Sequence, residues 1–513
     1  MAEKINISGN DTVYNLLKSE RFERFNFDFP CGGKKTCKKC KVKITDGLKF
    51  VSPPGEAEKR LLTEKELENN IRYACMCEIA GGVTIEPAFE YSGAAMTIQT
   101  AGLASKNITP DKYKRFGREA AVYGAAADIG TTTVAVYLHD MISGACLGVA
   151  AGENPQRIYG ADVISRINYT IENENGLSEL KNLILSLVLK LIKNLCAENN
   201  VDPNDVYSIV LTGNTVMQHI AIGYPPKTIA FAPFTPFSLF GFEVTAAELG
   251  ITGVNPNAVV YFPPAFASYV GGDIATGIIA SDTDLSDKLR IYLDIGTNGE
   301  IGLGDKNSLV FCATAAGPAF EGAHIKFGMA GVAGAINRIY LNNNNEILYE
   351  TIGGAEPRGI CGSGIIDAVA VMSELGVLDE TGRIEEDFYI TPDICITQKD
   401  VREIQLAKAS VCAGIITLLH HTKKTLADIE ELILAGGFGA HIDPGSACAI
   451  GLIPKELEDK ITVAGNTAGM GAASVLLDSA AAARVDETVK KARYIELSGD
   501  PFFMDEYIEQ MTF

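Results

Sequence analysis

Asp128-Ile-Gly-Thr-Thr-Thr-Val-Ala-Val136 and Asp294-Ile-Gly-Thr-Asn-Gly-Glu-Ile-Gly302 are two spellings of one motif. Each follows an apolar run, Ala125 to Ala127 in one case and Ile291-Tyr-Leu293 in the other, and each opens into a second run. The pattern predicts a strand, a tight glycine turn and a returning strand. Such a turn offers backbone N–H groups and threonine hydroxyls to a phosphate, and the Asp before it can hold Mg²⁺ through water. One hairpin of this kind would be an ordinary strand pair. Two, each heading half of an alternating strand–helix region, predict a phosphate clamp between duplicated lobes.

Working outward, Ser208-Ile-Val-Leu-Thr-Gly-Asn214 and Leu432-Ile-Leu-Ala-Gly-Gly-Phe438 read as strands running into glycine turns. Gly359-Ile-Cys-Gly-Ser-Gly364 precedes a helix and would bring N–H donors to the cleft. Gly436, Gly437 and Phe438 would let backbone lie against adenosine. The chain has no Gly-x4-Gly-Lys-Ser/Thr run, which excludes a P-loop nucleotidase on its own signature. Long helices are expected over Ser178 to Asn199, Gly364 to Leu375 and Asp400 to His420.

A second signal lies near the N-terminus, in Cys31-Gly-Gly-Lys-Lys-Thr-Cys37-Lys-Lys-Cys40, with Cys75 following in Arg-Tyr-Ala-Cys. Three thiols in one loop and a distant fourth suit a [2Fe–2S] cluster. Gly32 and Gly33 would let the backbone approach inorganic sulfide. Cys37, Cys40, Cys75 and Cys77 could instead hold tetrahedral Zn²⁺, and Cys77 competes with Cys75 as the fourth cluster ligand. Lys34, Lys35, Lys38, Lys39, Lys41 and Lys43 reverse the local sign of a chain whose net charge is −20. They read equally as cations offsetting the cluster charge or as a docking face for an acidic electron carrier.

Composition narrows the class. A chain of 513 residues, 47% apolar and with 51 glycines, is long enough for two or three turn-rich domains. Its negative charge argues against nucleic-acid and anionic-membrane partners. The longest apolar stretch, Leu183 to Cys196, contains Lys190 and Lys193 and is too short to span a bilayer. With no leader-like segment at Met1, the expected location is cytoplasmic. Of the 12 cysteines, Cys146, Cys196, Cys312, Cys361, Cys395, Cys412 and Cys448 are scattered and read as buried small hydrophobes.

The expected organisation is a small α+β ferredoxin-like domain over 1–88, a linker over 89–121, ATPase lobes over 122–285 and 286–480, and an extension over 481–513 that docks on the body. The fold class is therefore α/β, a duplicated two-lobe domain behind a small α+β module, and the resemblance that follows implies that these are an actin-like ATPase domain and a ferredoxin-like one.

The paired Asp-Ile-Gly-Thr motifs, the Gly-Gly-Phe turn and Ala464-Gly-Asn-Thr-Ala-Gly-Met-Gly471 resemble the superfamily of sugar kinases, heat-shock chaperone ATPases and actin. More closely, the chain resembles the ATP-dependent reductive activators of corrinoid proteins. That likeness rests on Asn154-Pro-Gln-Arg-Ile-Tyr-Gly-Ala-Asp-Val-Ile-Ser-Arg166, Ala315-Ala-Gly-Pro-Ala-Phe-Glu-Gly-Ala323 and Gly359-Ile-Cys-Gly-Ser-Gly-Ile-Ile-Asp367. The resemblance implies one-electron reduction of Co(II) to Co(I) in a corrinoid methyl carrier, driven by ATP.

It further implies Cys31, Cys37, Cys40 and Cys75 as cluster ligands. Asp128 and Asp294 would organise Mg²⁺ and water, with Glu321 nearby. Gly130, Thr131, Thr132, Thr133, Gly296, Thr297 and Asn298 would line the phosphates. Gly362, Ser363 and Gly364 would border the cleft. Gln405 and Lys408, one turn apart, read as ribose or adenine contacts or as an exposed helix face. A low-potential electron donor and a homodimer are the expected partners. Lys35 and Lys38 stand where the family's loop carries glycine, and the short separation between cluster module and clamp implies that the family's middle domain is missing.

Two other readings fit less of the chain. An activator of a 2-hydroxyacyl-CoA dehydratase shares the nucleotide fold but resembles a bare clamp with a shared [4Fe–4S] cluster. A nucleotide-dependent redox-sensing module would need no turnover.

Overall fold

The computed structural model describes residues 4–19, 33, 35, 40–88, 100–160 and 162–513. The chain forms two compact units, one of residues 1–95 with 154–176 and the other of residues 96–153 with 177–513.

The first unit is built on a four-stranded sheet in the order β1-β4-β2-β3, with β1 Ile5–Thr12, β2 Lys41–Asp46, β3 Ile71–Tyr73 and β4 Glu78–Pro87. Alternation in Ile5-Asn-Ile7 and Val42-Lys-Ile44 puts one face of the sheet inside. There Ile5, Ile7, Val42, Ile44, Ile79 and Ile85 pack against Val13 and Leu17 of the helix Val13–Ser19. The stretch before Cys31 makes no local hairpin among the described residues. Instead β1 pairs antiparallel with the remote β4. Behind the sheet a buried ion pair forms: Arg72 Nε and Nη2 donate to the two Glu58 carboxylate oxygens at 2.9 and 2.7 Å, and Tyr73 N also donates to Glu58.

The second unit repeats one topology. Its first sheet runs β7-β6-β5-β8-β10-β9, from β5 Tyr123–Ile129, β6 Thr133–Asp140, β7 Cys146–Glu153, β8 Val206–Gly213, β9 Phe242–Thr245 and β10 Val259–Phe262. β5, β6 and β7 are an antiparallel meander, and β8 and β10 follow in parallel. In the second lobe β11 Arg290–Ile295, β12 Gly299–Gly304 and β13 Leu309–Thr314 form the meander. A three-stranded sheet (β14 Ala335–Leu341, β15 Ile347–Thr351, β16 Gly359–Ile360) and a hairpin (β17 Phe388–Thr391, β18 Ile394–Ile396) are inserted next. β19 Glu431–Ala435 and β20 Ile461–Gly465 then add in parallel, and β21 Arg493–Tyr494 extends the far edge beside β13. The α/β duplication expected from the two Asp motifs is thus visible strand by strand.

The lobes meet through two glycine-bearing helices, Gly272–Ala280 and Thr467–Leu477. Gly471 lies directly on the Thr276 carbonyl, so any side chain there would collide with backbone. Thr276 Oγ1 donates to Ala468 O at 3.1 Å, and the Tyr292 and Thr467 hydroxyls are 2.6 Å apart. Helices Thr467–Leu477 and Ser479–Lys491 then pack on the first lobe's sheet, where Leu476, Ala481 and Val485 bury with Val122, Ala126 and Tyr137.

Residues 100–121, read as linker, are docked on this unit: Leu103 N donates to Ala464 O, Asn466 N donates to Ala101 O, and Tyr137 Oη donates to Thr100 O. The C-terminal helix Pro501–Glu509 packs on the helix Gln398–Thr422. Six of the seven scattered cysteines are buried as expected, whereas Cys146 is exposed on edge strand β7. Among the described residues, no helix is long and apolar enough to cross a membrane.

Candidate functional site: a carboxylate-lined clamp and a thiol pair

Both predicted hairpins form. β5 and β6 pair from Tyr123↔Asp140 to Ile129↔Val134, leaving Gly130 to Thr132 as the turn. β11 and β12 pair up to Ile295↔Gly299, leaving Gly296 to Asn298, with Gly296 N donating to Asn298 O at 2.8 Å. A Cβ on Gly130 would approach Thr133 O at 2.6 Å, so this turn closes only around glycine.

Helix caps hold the first turn. Asn214 caps the helix Thr215–Ile222 by accepting from Met217 N, and its amide donates to Thr131 Oγ1 at 3.1 Å. Asn466 caps Thr467–Leu477 by accepting from Gly469 N, and its amide donates to Asp128 Oδ2 at 3.0 Å. Each cap thus serves two purposes, starting a helix and fixing a side chain of the hairpin. At the second turn, Thr297 Oγ1 donates to Glu321 Oε1 at 2.8 Å, which brings Glu321 to the hairpin. Gly436 has φ +84, and a Cβ there would strike the Asp294 carboxyl group. The Gly-Gly-Phe turn therefore lies against Asp294, as their ladder neighbours Asp294↔Ala435 require.

Electrostatically, the two Asp residues belong to one site. Burial pushes Asp128 up to about 6. Burial and then the Asp128 charge push Asp294 up to about 7. Two further carboxylates join them. Asp273, in the first turn of Gly272–Ala280, is raised to about 8 by burial and by Asp128 and Asp294. Glu300, at the start of β12, is raised well above the usual range by burial and by Asp273 and Asp294. The charges of these carboxyl groups thus oppose one another's ionisation, although no three of them converge closely enough to be direct ligands of one metal ion. The donor set, all oxygen, suits Mg²⁺ rather than a soft metal.

Asp273 and Glu300 were missed in the sequence, although Gly271-Gly272-Asp273 before an apolar helix and Glu300 within the motif itself carried the signal. Gly362, Ser363 and Gly364 form the buried first turn of Gly362–Glu374. Close packing explains their size: a Cβ on Gly362 would strike Phe320 O and the Phe438 ring, and Ser363 Oγ donates to Asn337 O. Phe438 stacks on Phe320 with ring centroids 5.8 Å apart.

Gln405 and Lys408 do not form an exposed helix face, being 6% and 1% accessible. They lie under the C-terminal tail, where Gln405 Nε2 donates to Met511 O and Lys408 Nζ donates to Thr512 O beneath the Phe513 ring. Burial lowers Lys408 to about 8. Both side chains are thus committed to tail carbonyls in this structure.

In the first unit, Cys40 and Cys75 are brought together with their sulfurs 3.2 Å apart, both buried. Ala74 N donates to Cys40 O at 2.8 Å, and the turn carrying Cys75 is pinned by Val13 N on Cys77 O and Tyr14 N on Ala74 O. Cys77 is fully buried, and desolvation raises its thiol to about 11, the behaviour of an inert core cysteine. The thiol pair fits half of a four-thiolate cluster. Cys31 and Cys37 lie outside the described residues, as do Lys34, Lys38 and Lys39, and among the described residues no group of three donors forms a metal site. Lys41 pairs with Glu66 at 2.5 Å and Lys43 with Glu86 at 3.5 Å, so two of the six loop cations are already compensated. Lys35, where the family's loop has glycine, takes φ +64, a conformation that glycine adopts freely.

Comparison with known proteins agrees with this geometry. A family model described as the C-terminal domain of RACo, the ASKHA domain, matches residues 288–513, and one for the RACo middle region matches 123–286. The chain belongs to the RACo family of corrinoid reductive activators. The family's middle region is therefore present, as the lobe headed by Asp128, and the expectation that it is missing is overturned.

The chain is 34% identical over 425 residues to the corrinoid activation enzyme RamQ of Eubacterium limosum, covering 77% of this chain and 71% of RamQ. It is 23% identical over 405 residues to a [Co(II) methylated amine-specific corrinoid protein] reductase of Methanosarcina barkeri, covering 73% of each. A solved reductive activator for a corrinoid, iron–sulfur protein superposes with a TM-score of 0.71 at 32% identity, covering 99% of this chain and 96% of its own. An 88-residue stretch is 33% identical to one component of the Na⁺-translocating NADH-quinone reductase of Chlamydia pneumoniae, over 17% of this chain and 19% of that one.

Proposed function

We propose that the protein returns one electron to the cobalt of a corrinoid methyl-carrier protein, Co(II) to Co(I), with ATP and Mg²⁺ held between its two hairpins. The carrying observation is that Asp128 and Asp294, from different lobes, lie close enough for one charge to raise the pKa of the other. Asp128, Asp273, Asp294 and Glu300 would hold Mg²⁺ through its water shell. The turns Gly130, Thr131, Thr132, Thr133 and Gly296, Thr297, Asn298 would bind phosphates from opposite sides through N–H and hydroxyl donors. Glu321, steadied by Thr297, would orient water, and Gly436, Gly437 and Phe438 would flank adenosine.

Cys31, Cys37, Cys40 and Cys75 would hold a [2Fe–2S] cluster, which supplies one-electron relay from a low-potential donor. The sulfur contact between Cys40 and Cys75, and the inert burial of Cys77, support Cys75 as the fourth ligand. An uphill electron costs about 1.4 kcal/mol for every 59 mV, so lobe closure on ATP must favour the client state whose cobalt accepts it. A reducing cytoplasm is part of the proposal. A homodimer is part of the proposal, whereas nucleic acid and membrane are not.

The experiment mixes anaerobic protein, ATP, a low-potential reductant and a Co(II) corrinoid protein. Co(I) absorbance is expected only with ATP and reductant together; its absence with ATP turnover intact rejects the corrinoid client. Cys75→Ser should abolish the reduced-cluster paramagnetic signal while Cys77→Ser keeps it.

A further inference from the structure

The chain leaves the ATPase unit in the middle of its first lobe and returns. β7 ends at Glu153, residues Asn154–Gly176 belong to the iron–sulfur unit, and the ATPase unit resumes at Leu177. We propose that Tyr14 and the turn Asn154–Ile158 are positioning residues that make the cluster's environment depend on what occupies the first phosphate hairpin. The inference rests on the nucleotide and cluster reading given above and adds the route between them.

At one end, Thr133, which closes the first phosphate turn, is the ladder partner of Glu153. The next residue is Asn154, so a shift of the turn on binding phosphate reaches the departing segment through a single rung and one peptide bond. At the other end stands Tyr14. Its backbone N–H holds Ala74 O in the turn that carries Cys75. Its ring fills the space that a side chain on Gly33, between Cys31 and Cys37, would need. Its hydroxyl donates to Ile158 O at 3.2 Å, and Ile158 packs on the iron–sulfur core. One residue therefore meets Gly33 of the cysteine loop, the turn that carries Cys75 and the segment that arrives from the ATPase sheet.

The segment between these ends is built as a rigid piece. Asn154 caps the turn by accepting from Gln156 N at 3.0 Å. Arg166 donates from Nη1 to Gln156 Oε1 and from Nε to Gly160 O, both at 3.1 Å. Asn154, Gln156 and Arg166 are wholly buried. A plain covalent anchor would bury apolar side chains. A buried polar network holds one geometry because partial rupture strands desolvated groups, so it moves as a body.

The test uses full-length anaerobic protein with its cluster, poised in a redox buffer and followed by the EPR signal of reduced cluster, with no nucleotide, with ADP, or with a non-hydrolysable ATP analogue. In the wild type, the analogue is expected to change the reduced-to-oxidised ratio at fixed potential by about tenfold, which is about 59 mV for one electron. Tyr14→Phe and, independently, Gln156→Ala should each cut that change to about threefold or less, with cluster content and nucleotide affinity held within about twofold. Full retention of the change in both variants overturns the proposal. So does a wild type that binds analogue and cluster stoichiometrically yet shows no change. A wild type lacking cluster or nucleotide binding overturns the underlying reading itself, and that result is seen before any variant is made.

Discussion

The two phosphate hairpins share a sequence and a local shape but differ in what supports them and where they lead. The Asp128 hairpin is braced from outside its own strands, by the amides of Asn214 and Asn466, the second of which comes from the far end of the chain. The Asp294 hairpin is braced within its own lobe, by Glu321 and by Gly436, which follows directly on the neighbouring strand. Beyond the turns they diverge further. β12 continues into β13 and the second lobe's own core, whereas β6 continues into β7 and from there into the unit that carries Cys40 and Cys75. Duplication thus gave two hairpins of one shape, and only the first leads on into the unit that carries Cys40 and Cys75.

The symmetry of the grip is easiest to break at the acids. Asp128→Asn and Asp294→Asn are each expected to lower ATP turnover by about 100-fold or more, because each removes charge from a site built to hold a cation. Comparable losses in steady-state hydrolysis support equivalent grips. A loss confined to Asp294→Asn would show that the first hairpin senses nucleotide without helping to cleave it.

Next in size are the close approaches of glycine. Gly436→Ala places a side chain at φ +84 and against the Asp294 carboxyl group, so both backbone strain and collision apply. A destabilisation of about 1–3 kcal/mol is expected, together with weakened nucleotide binding, read by thermal unfolding and by calorimetry. Thr297→Val is milder. It deletes the donor to Glu321 and should cost about 1 kcal/mol, roughly fivefold in nucleotide affinity. Thr131→Val, its counterpart, leaves the Asn214 amide short of an acceptor and tests whether external bracing matters as much as internal bracing.

How much of this is legible in the sequence follows from the range of the interactions. The hairpins, the strand–glycine turns and the helices Gly176–Glu198, Gly362–Glu374 and Gln398–Thr422 are written in local periodicity and can be read directly. Asn214 and Asn466 sit within recognisable motifs, yet their second bond depends on a partner 83 or 338 positions away. Gln405 and Lys408 show the limit most clearly. Spacing one turn apart places two side chains on one face but cannot say what covers that face, and here it is the chain's own C-terminus. The passage of Asn154–Gly176 into the other unit is equally a tertiary fact, although its motif is visible in the sequence.

The smallest predicted effect concerns protons, and it treats the two hairpins as one site. Asp128, Asp294 and Asp273 have folded-state pKa values of about 6, 7 and 8, all raised first by burial. The folded protein therefore keeps protons that an unfolded chain gives up near pH 4. Without ligand, stability should decline as pH rises from about 4 through about 8, because ionisation is easier in the unfolded chain. Mg²⁺ with nucleotide favours the ionised carboxylates, so its binding should release protons and strengthen with pH by up to about tenfold per unit for each proton released. Calorimetry in two buffers of different ionisation enthalpy at pH 7 counts the protons directly. Asp128→Asn should reduce that count and also lower the pH at which Asp294 ionises, since the Asp128 charge is what opposes it after burial. If the proton count is unchanged in that variant, the two Asp residues titrate independently and the hairpins face separate environments.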